Sequence, residues 1–431
     1  MLNQFRWGFD PIERSSAVSH WAIPLVVEWL SGSTFFIALE ASLKFGLLGG
    51  VGYAVAGLSA FASLAAVGKR VQSVAQDSTL LGCLAHKLPP AGLFLPILMI
   101  ILYHGGILFL QEEAGRQFMD AWLPVSMAGW ELIFFALSVL LFSFPKLVPS
   151  HLFSMIQLIL LFAVALLLPI DLFLRIGINN VYLGVRLYQP YTLVTNNPDV
   201  VTFLVASILI LSGHLLLSHT FWSLLQSSKN KKIAPTFLLA GAVGLTLSFS
   251  FSTLVFSVIY TGEVNSLPEL LDNLFRQFDS RLLSYIIFLS LFVSLVFSFV
   301  GELNIIFSVL FSILEHKLPA GPSTRASWVV TIFIALATEL YALSVHIYIL
   351  NILLLVGCIS ASTLIPFMTV ILTKKRWSVF IPFSALGGAV GGILTGLKWD
   401  YVFAAPVSFA LAGVLSLLAI SWTYLVREAR S

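Results

Sequence analysis

WAIPLVVEWLSGSTFFIALEASLKFG, residues 21–46, decides the reading of this chain. A helix of about 20 apolar residues crosses the hydrocarbon core of a bilayer. This stretch is long enough, yet its middle carries Glu28 and then Ser31, Gly32, Ser33 and Thr34. Such a cluster invites the helix to unwind. Backbone freed from helical bonds at membrane depth must be buried in protein or line a wet cavity, where its carbonyls can hold a cation. Glu28 points the same way, because a carboxylate inside a membrane is expensive and functional by default. The competing reading is a Ser/Gly/Ser/Thr helix contact with no solute nearby. Trp29, Phe35 and Phe36 flank the break, where rings would gate a solute or face lipid.

Working outward, the 431 residues are 58% hydrophobic and 10% charged, with a mean hydropathy of +0.98. A soluble chain of this size cannot hide so much apolar surface, so an all-α polytopic membrane protein is expected, with the lipid bilayer as its surroundings. No stretch of domain length reads as soluble, which excludes kinase, nucleotide-binding and DNA-binding domains. The net charge of +3 carries no signal for nucleic acid. Phosphate-cradling loops, nucleophile elbows and intramembrane metal triads are missing, so neither an enzyme nor a cofactor is expected. Cys83 and Cys358 fall in a loop and a span and suggest no disulfide. The N-terminal segment shows no cleavage site behind its first apolar run, so an uncleaved start is expected.

Apolar runs predict twelve spans, near residues 21–46, 47–68, 91–111, 122–145, 150–170, 200–225, 234–260, 282–314, 326–345, 347–373, 377–397 and 402–426. Lys and Arg resist translocation. With the N-terminus inside, the inner segments hold sixteen of them and the outer segments six. The expected location is therefore a cell membrane, crossed many times, with both termini cytoplasmic. Two outer segments are long. Residues 171–199 read as a partly folded cap. Residues 266–281, SLPELLDNLFRQFDSR, place Ser266 and Glu269 at capping-box spacing and Leu270, Leu271, Leu274, Phe275 and Phe278 on one face. An amphipathic helix is expected there, over the outer entrance or on the membrane surface.

Three stretches then carry a resemblance. Residues 29–57, WLSGSTFFIALEASLKFGLLGGVGYAVAG, lead to the basic pair Lys69 and Arg70 and to DSTLLGCLAHKLPP at 77–90. Residues 218–245 read SHTFWSLLQSSKNKKIAPTFLLAGAVGL, and residues 361–396 read ASTLIPFMTVILTKKRWSVFIPFSALGGAVGGILTG. In order and spacing they resemble the sodium:solute symporters, which have a LeuT-type inverted-repeat core. Phe45 and Gly46 stand at that family's Tyr–Gly turn. The resemblance implies a first repeat over 21–170, an outer loop over 171–199 and a second repeat over 200–373. Peripheral spans would occupy 374–426, between a cytoplasmic segment at 1–20 and a tail at 427–431. Only about twenty residues precede the broken span, so the leading helix of many members is missing.

The resemblance also implies a sodium ion held between the broken span and adjacent hydroxyls of the eighth. In LFVSLVFSFVGELNIIF, residues 291–307, those places fall on Phe297 and Ser298. A ring cannot ligate a hard cation, which wants several oxygens; Ser294, one turn earlier, is a partial substitute. Glu302 lies four residues after Ser298, on the same helix face. If Ser31 faces Ser298, Glu28 and Glu302 share a depth, one turn to the cytoplasmic side. Two nearby carboxylates in a low-dielectric setting do not both ionise without a counter-charge. The pair is therefore expected to bind a proton or to hold a cation jointly; the structural alternative is that each locks helices together.

His214, beside Ser212 and Gly213, and His104, before Gly105 and Gly106, are candidates for the solute pocket, with a break in the sixth span expected near His214. With them stand Trp29, Ser31, Gly32, Ser33, Thr34 and Phe35. Glu131, Glu339 and Asn351 suit polar helix contacts, and Glu40 and Lys44 suit a helical ion pair. The expected function is ion-coupled transport of a small-molecule solute by alternating access, driven by sodium or protons. A solute sensor signalling through a partner chain is the rival, and a lipid flippase a weaker third.

Overall fold

The computed structural model describes residues 18–75, 79–122, 128–144, 150–194, 197–227, 232–278, 280–315, 319–345, 347–373, 375 and 377–428. Most of the expected cytoplasmic N-terminal segment, the end of the tail and the Glu131 side chain lie outside the described residues. The described residues form helices joined by short connections. It opens with α1 (Val18–Trp29), α2 (Gly32–Ala75), α3 (Leu80–Ala85), α4 (Pro90–Trp122) and α5 (Ala128–Ser143). The middle holds α6 (Ser150–Ile176), α7 (Ile178–Tyr188), α8 (Pro198–Leu217), α9 (His219–Ser227), α10 (Ile233–Ile259) and α11 (Leu267–Arg276). The chain ends with α12 (Arg281–Glu315), α13 (Ala320–Ser344), α14 (Ile349–Leu372), α15 (Phe380–Lys398) and α16 (Tyr401–Glu428).

Among the described residues ten helices are long and apolar enough to cross a membrane. One of them, α2, changes direction at Gly46 (φ 69°, ψ −159°) and supplies two arms. Helix α5 adds a shorter apolar crossing over Leu132–Ser143. The expected twelve passes are therefore accounted for, and the chain is a multi-pass membrane protein. Only glycine adopts the Gly46 conformation readily. A side chain there would also meet the carbonyl oxygen of Thr192, 2.4 Å from its Cβ. The segment between α7 and α8 thus seats its short Pro190–Leu193 turn on the corner between the two arms.

The first crossing breaks at Leu30 and Ser31, between α1 and α2. This is narrower than the expected Ser31–Thr34: Gly32, Ser33 and Thr34 already form the first turn of α2. Thr34 closes the gap, donating its amide to Ser31 O at 2.8 Å and its hydroxyl to Trp29 O at 3.0 Å. The sixth crossing breaks at Ser218, between α8 and α9, four residues beyond the place expected near His214. There Ser218 Oγ accepts the Phe221 amide at 3.1 Å, and the Trp222 indole donates to Leu216 O at 2.8 Å.

Around these breaks α1, α2, α8 and α10 form one bundle, while α4, α5, α12 and α13 pack together as a second group. Helix α6 bridges α1, α10 and α12, and α14 touches α2, α4 and α8. Trp29 explains why two glycines are needed in the bundle. Its ring lies so close to Gly57 and Gly244 that an added Cβ would fall 1.9 Å and 1.5 Å from it. Helix α11 begins as expected, with Ser266 Oγ accepting the Glu269 amide. Its buried Leu267, Leu270, Leu271 and Leu274 pack on α4, α10 and α2. The expected Glu40–Lys44 ion pair is replaced by a helix cap: Glu40 Oε2 accepts the Leu350 amide at 2.9 Å, at the start of α14, while Lys44 lies over the Phe45 ring.

Candidate functional site

Both breaks border one cavity of about 210 Å³. Its wall is built from α1, the end of α5, the start of α6, α9 and the second half of α12. Glu28, Ser31, Gln157, Thr220, Ser298 and Glu302 supply its main polar groups, and Phe142, Phe153 and Phe297 its rings. All of these lie on the α1 and α9 side of the breaks. On the α2 side the bundle is shut by rings: Phe35 packs edge-on to Phe251 at 5.2 Å and Phe36 to Phe118 at 5.9 Å. Phe118 continues the seal to Phe288 and to Phe275 of α11.

The close approach expected between the first and eighth crossings is present. Gly32 N–H donates to Ser298 Oγ at 2.9 Å, and the absence of a side chain is what allows it, since a Cβ would lie 2.6 Å from the Leu295 backbone. The hydroxyls expected to hold a cation are engaged by Gln157. Its Nε2 donates to Ser294 Oγ at 3.0 Å and to Ser298 Oγ at 3.1 Å, with Ser294 O at 3.4 Å. The side-chain nitrogen is thus surrounded by the oxygens of Ser294 and Ser298. Phe297 turns to Phe153 instead, with ring centroids 4.4 Å apart.

The two carboxylates do share one wall, and they differ in their partners. Glu302 is 5% exposed, and its Oε2 lies 2.6 Å from Nδ1 of His104, which is fully buried. Glu28 has both oxygens buried without a hydrogen-bond partner; the Ser218 and Thr220 hydroxyls stand nearest. His104, expected in the solute pocket, is therefore the partner of Glu302. His214 is held by the Tyr103 hydroxyl, 2.8 Å from its Nδ1. Neither histidine lines the cavity.

The other candidates are divided by the break. Ser31 lines the cavity and its hydroxyl meets that of Ser33 at 2.9 Å. The Ser33 amide donates to Gln111 Oε1 of α4 at 3.2 Å. Trp29, Gly32, Thr34 and Phe35 are buried in helix packing, and Ser294 sits behind Ser298. Gln157, Gln111 and Tyr103 escaped the reading of the sequence. A signal existed for the first: Gln157 is a lone amide in the apolar run SMIQLIL, residues 154–160, and an unpaired amide at that depth demands a partner.

Comparison with known proteins rests on structure alone. No family model matches the sequence, and no curated protein matches it either. A substrate-bound, outward-open Na⁺-coupled sialic acid symporter superposes with a TM-score of 0.68 at 14% identity, covering 93% of this chain and 89% of its own. The nucleobase-cation-symport-1 family transporter MHP1, closed around bromovinylhydantoin, gives 0.53 at 13% identity, covering 95% and 93%. A mutant of the Eremococcus coleocola manganese transporter gives 0.54 at 11% identity, covering 95% and 94%. The chain shares the LeuT-type transporter fold with these proteins over nearly its whole length.

Proposed function

We propose that this chain is a secondary transporter that carries a small solute by ion-coupled alternating access. The observation that carries the reading is the pair of breaks, at Leu30–Ser31 and at Ser218, opening on one cavity that contains Glu28 and Glu302. Broken helices around a polar chamber are how such carriers expose solute and ion sites to one side at a time. The Na⁺-coupled sialic acid symporter and the nucleobase-cation-symport-1 transporter among the structural neighbours support ion coupling in this fold.

On this reading α1 to α6 and α8 to α14 are the two inverted repeats, with α15 and α16 peripheral, and both termini face the cytoplasm. The cavity then opens inward, while the rings from Phe35 to Phe288 close the outside. The coupling ion is a proton. Gln157 takes the hydroxyls that sodium would need, and the His104–Glu302 contact offers a proton two partners 2.6 Å apart. Glu28, Ser31, Ser294, Ser298 and Glu302 form the coupling region.

Counterflow of a solute panel in reconstituted vesicles, with and without sodium and at two pH values, tests the proposal. Uptake should follow the proton gradient and ignore sodium. If Glu28→Gln and Glu302→Gln both leave uptake and its pH dependence intact, the acidic pair has no coupling role. Saturable binding without flux would favour a sensor.

A further inference from the structure

Resting on the carrier reading, the wall of the cavity narrows the class of its cargo. We propose that the cavity between α1, α6, α9 and α12 binds a small organic cation, with Glu28 pairing its ammonium group and the Phe153–Phe297 rings covering its carbon.

Charge is the first argument. The cavity wall includes Glu28 and Glu302 but neither lysine nor arginine. A carboxylate- or phosphate-bearing solute would meet the Glu28 carboxylate with no lysine or arginine to pair it, the imidazoles of His219 in the wall and His104 behind Glu302 being the bases at hand, at an effective dielectric where like charges repel strongly. The two acids also differ in what they lack. Glu302 has His104. Glu28 holds two buried oxygens with no hydrogen-bond partner among the described residues. With only the Ser218 and Thr220 hydroxyls beside it, this buried carboxylate is costly unless something supplies charge and further hydrogen bonds together, and a protonated amine supplies both. Glu302 with His104 keeps the coupling proton while Glu28 meets the cargo.

Shape and softness are the second. A divalent metal ion wants a cage of several hard ligands, and no group of three His, Cys, Asp or Glu able to hold one occurs among the described residues. What the wall offers beside its acids is aromatic. Phe153 and Phe297 lie with centroids 4.4 Å apart, and Phe142 lines the same space. Ring faces attract alkylammonium groups and cover their methylenes. One acid, flanking hydroxyls and a ring pair suit an amine better than a metal ion or a polyol.

The test measures uptake of radiolabelled solutes by the full chain in proteoliposomes, which registers electroneutral as well as charge-moving flux. Ethanolamine and putrescine are compared with acetate and lactate and with glycerol and myo-inositol. At least one amine should show saturable uptake, while carboxylates and polyols show none. Glu28→Gln should raise the half-saturating concentration about tenfold or more, the loss expected for one charge-assisted contact, and Glu28→Asp should recover part of it. Phe297→Leu should weaken amines several-fold with the melting temperature kept. Uptake of carboxylates or polyols but not of amines would overturn the cargo class and leave the carrier reading standing. Silence across all three classes would overturn both.

Discussion

Replacing Gln157 separates a proton-driven carrier from a sodium-driven one. The Gln157 amide nitrogen makes hydrogen bonds of 3.0 Å and 3.1 Å to the hydroxyls of Ser294 and Ser298, and the residue is 3% exposed. Each such bond contributes about 1 kcal/mol net, and a hydroxyl left without its partner in a buried place costs more. Gln157→Ala should therefore lower stability by roughly 2–3 kcal/mol. It should also leave a gap lined by Ser294 O, Ser294 Oγ and Ser298 Oγ, which are oxygens a sodium ion can use. A ligand present at 100 times its dissociation constant stabilises by about 2.7 kcal/mol, so sodium should return most of what the substitution removes. Thermal unfolding of purified protein in NaCl and in KCl at equal ionic strength is the assay. The parent protein should melt at the same temperature in both salts. Gln157→Ala should melt lower in KCl and recover in NaCl, whereas Gln157→Leu, which fills the gap with carbon, should stay low in both. A parent protein whose melting temperature climbs with sodium but not with potassium would refute the reasoning, because the cation would then bind with the amide in place.

Three further outcomes are expected. His104→Ala and Glu302→Gln should each lower stability by roughly 2–3 kcal/mol, since a buried charge-assisted hydrogen bond is lost; chemical unfolding of the double variant should show much less than the sum, and full additivity would mean the two do not interact. Gly244→Ala places a Cβ 1.5 Å from the Trp29 ring and should cost about 1–3 kcal/mol by overpacking, with a shift in tryptophan emission; Trp29→Leu in the same chain should relieve it. In the segment before α4, burial pushes the Cys83 thiol above its ordinary range, with the Lys87 ammonium opposing. Less thiolate is then present at neutral pH than on a free cysteine, so maleimide should label Cys83 slowly at pH 7 and faster as the pH rises; labelling at the free-thiol rate would mean that the segment is open.

Much of the fold was legible because the bilayer imposes it. Long apolar runs separated by charged segments leave few ways to satisfy the backbone, and the resemblance to a Tyr–Gly turn put the corner of α2 at Gly46. The shared wall of Glu28 and Glu302 was also within reach, since each lies a turn from a serine of the helix contact. The partners of those acids were not. His104 meets Glu302 across 198 residues of sequence, and the register between α4 and α12 depends on how every other side chain packs. Gln157 and Glu40 show the same limit: both pair across helices, Gln157 with α12 and Glu40 with the first turn of α14, which no local pattern announces.

The misplaced break in the sixth crossing shows what decides where a membrane helix opens. Ser212, Gly213 and His214 are as small or polar as Ser218, yet the helix runs through the first three and stops at the last. Opening a helix exposes carbonyls and amides that must find new partners at a depth without bulk water. At Ser218 both kinds are provided for, the Phe221 amide by the serine hydroxyl and the Leu216 carbonyl by the Trp222 indole. The first crossing follows the same rule, with the Thr34 hydroxyl on the Trp29 carbonyl and Ser298 on the Gly32 amide. Around His214 the available groups are spent elsewhere: the imidazole on Tyr103, and Gly213 on close contact with the Ser360 backbone, 2.3 Å from where its Cβ would be. The opening is therefore placed by the residues that catch the freed backbone, a serine or threonine beside it and, from further off, Trp222 in the sixth crossing and Ser298 in the first. Small polar residues alone mark several places where it would be tolerated.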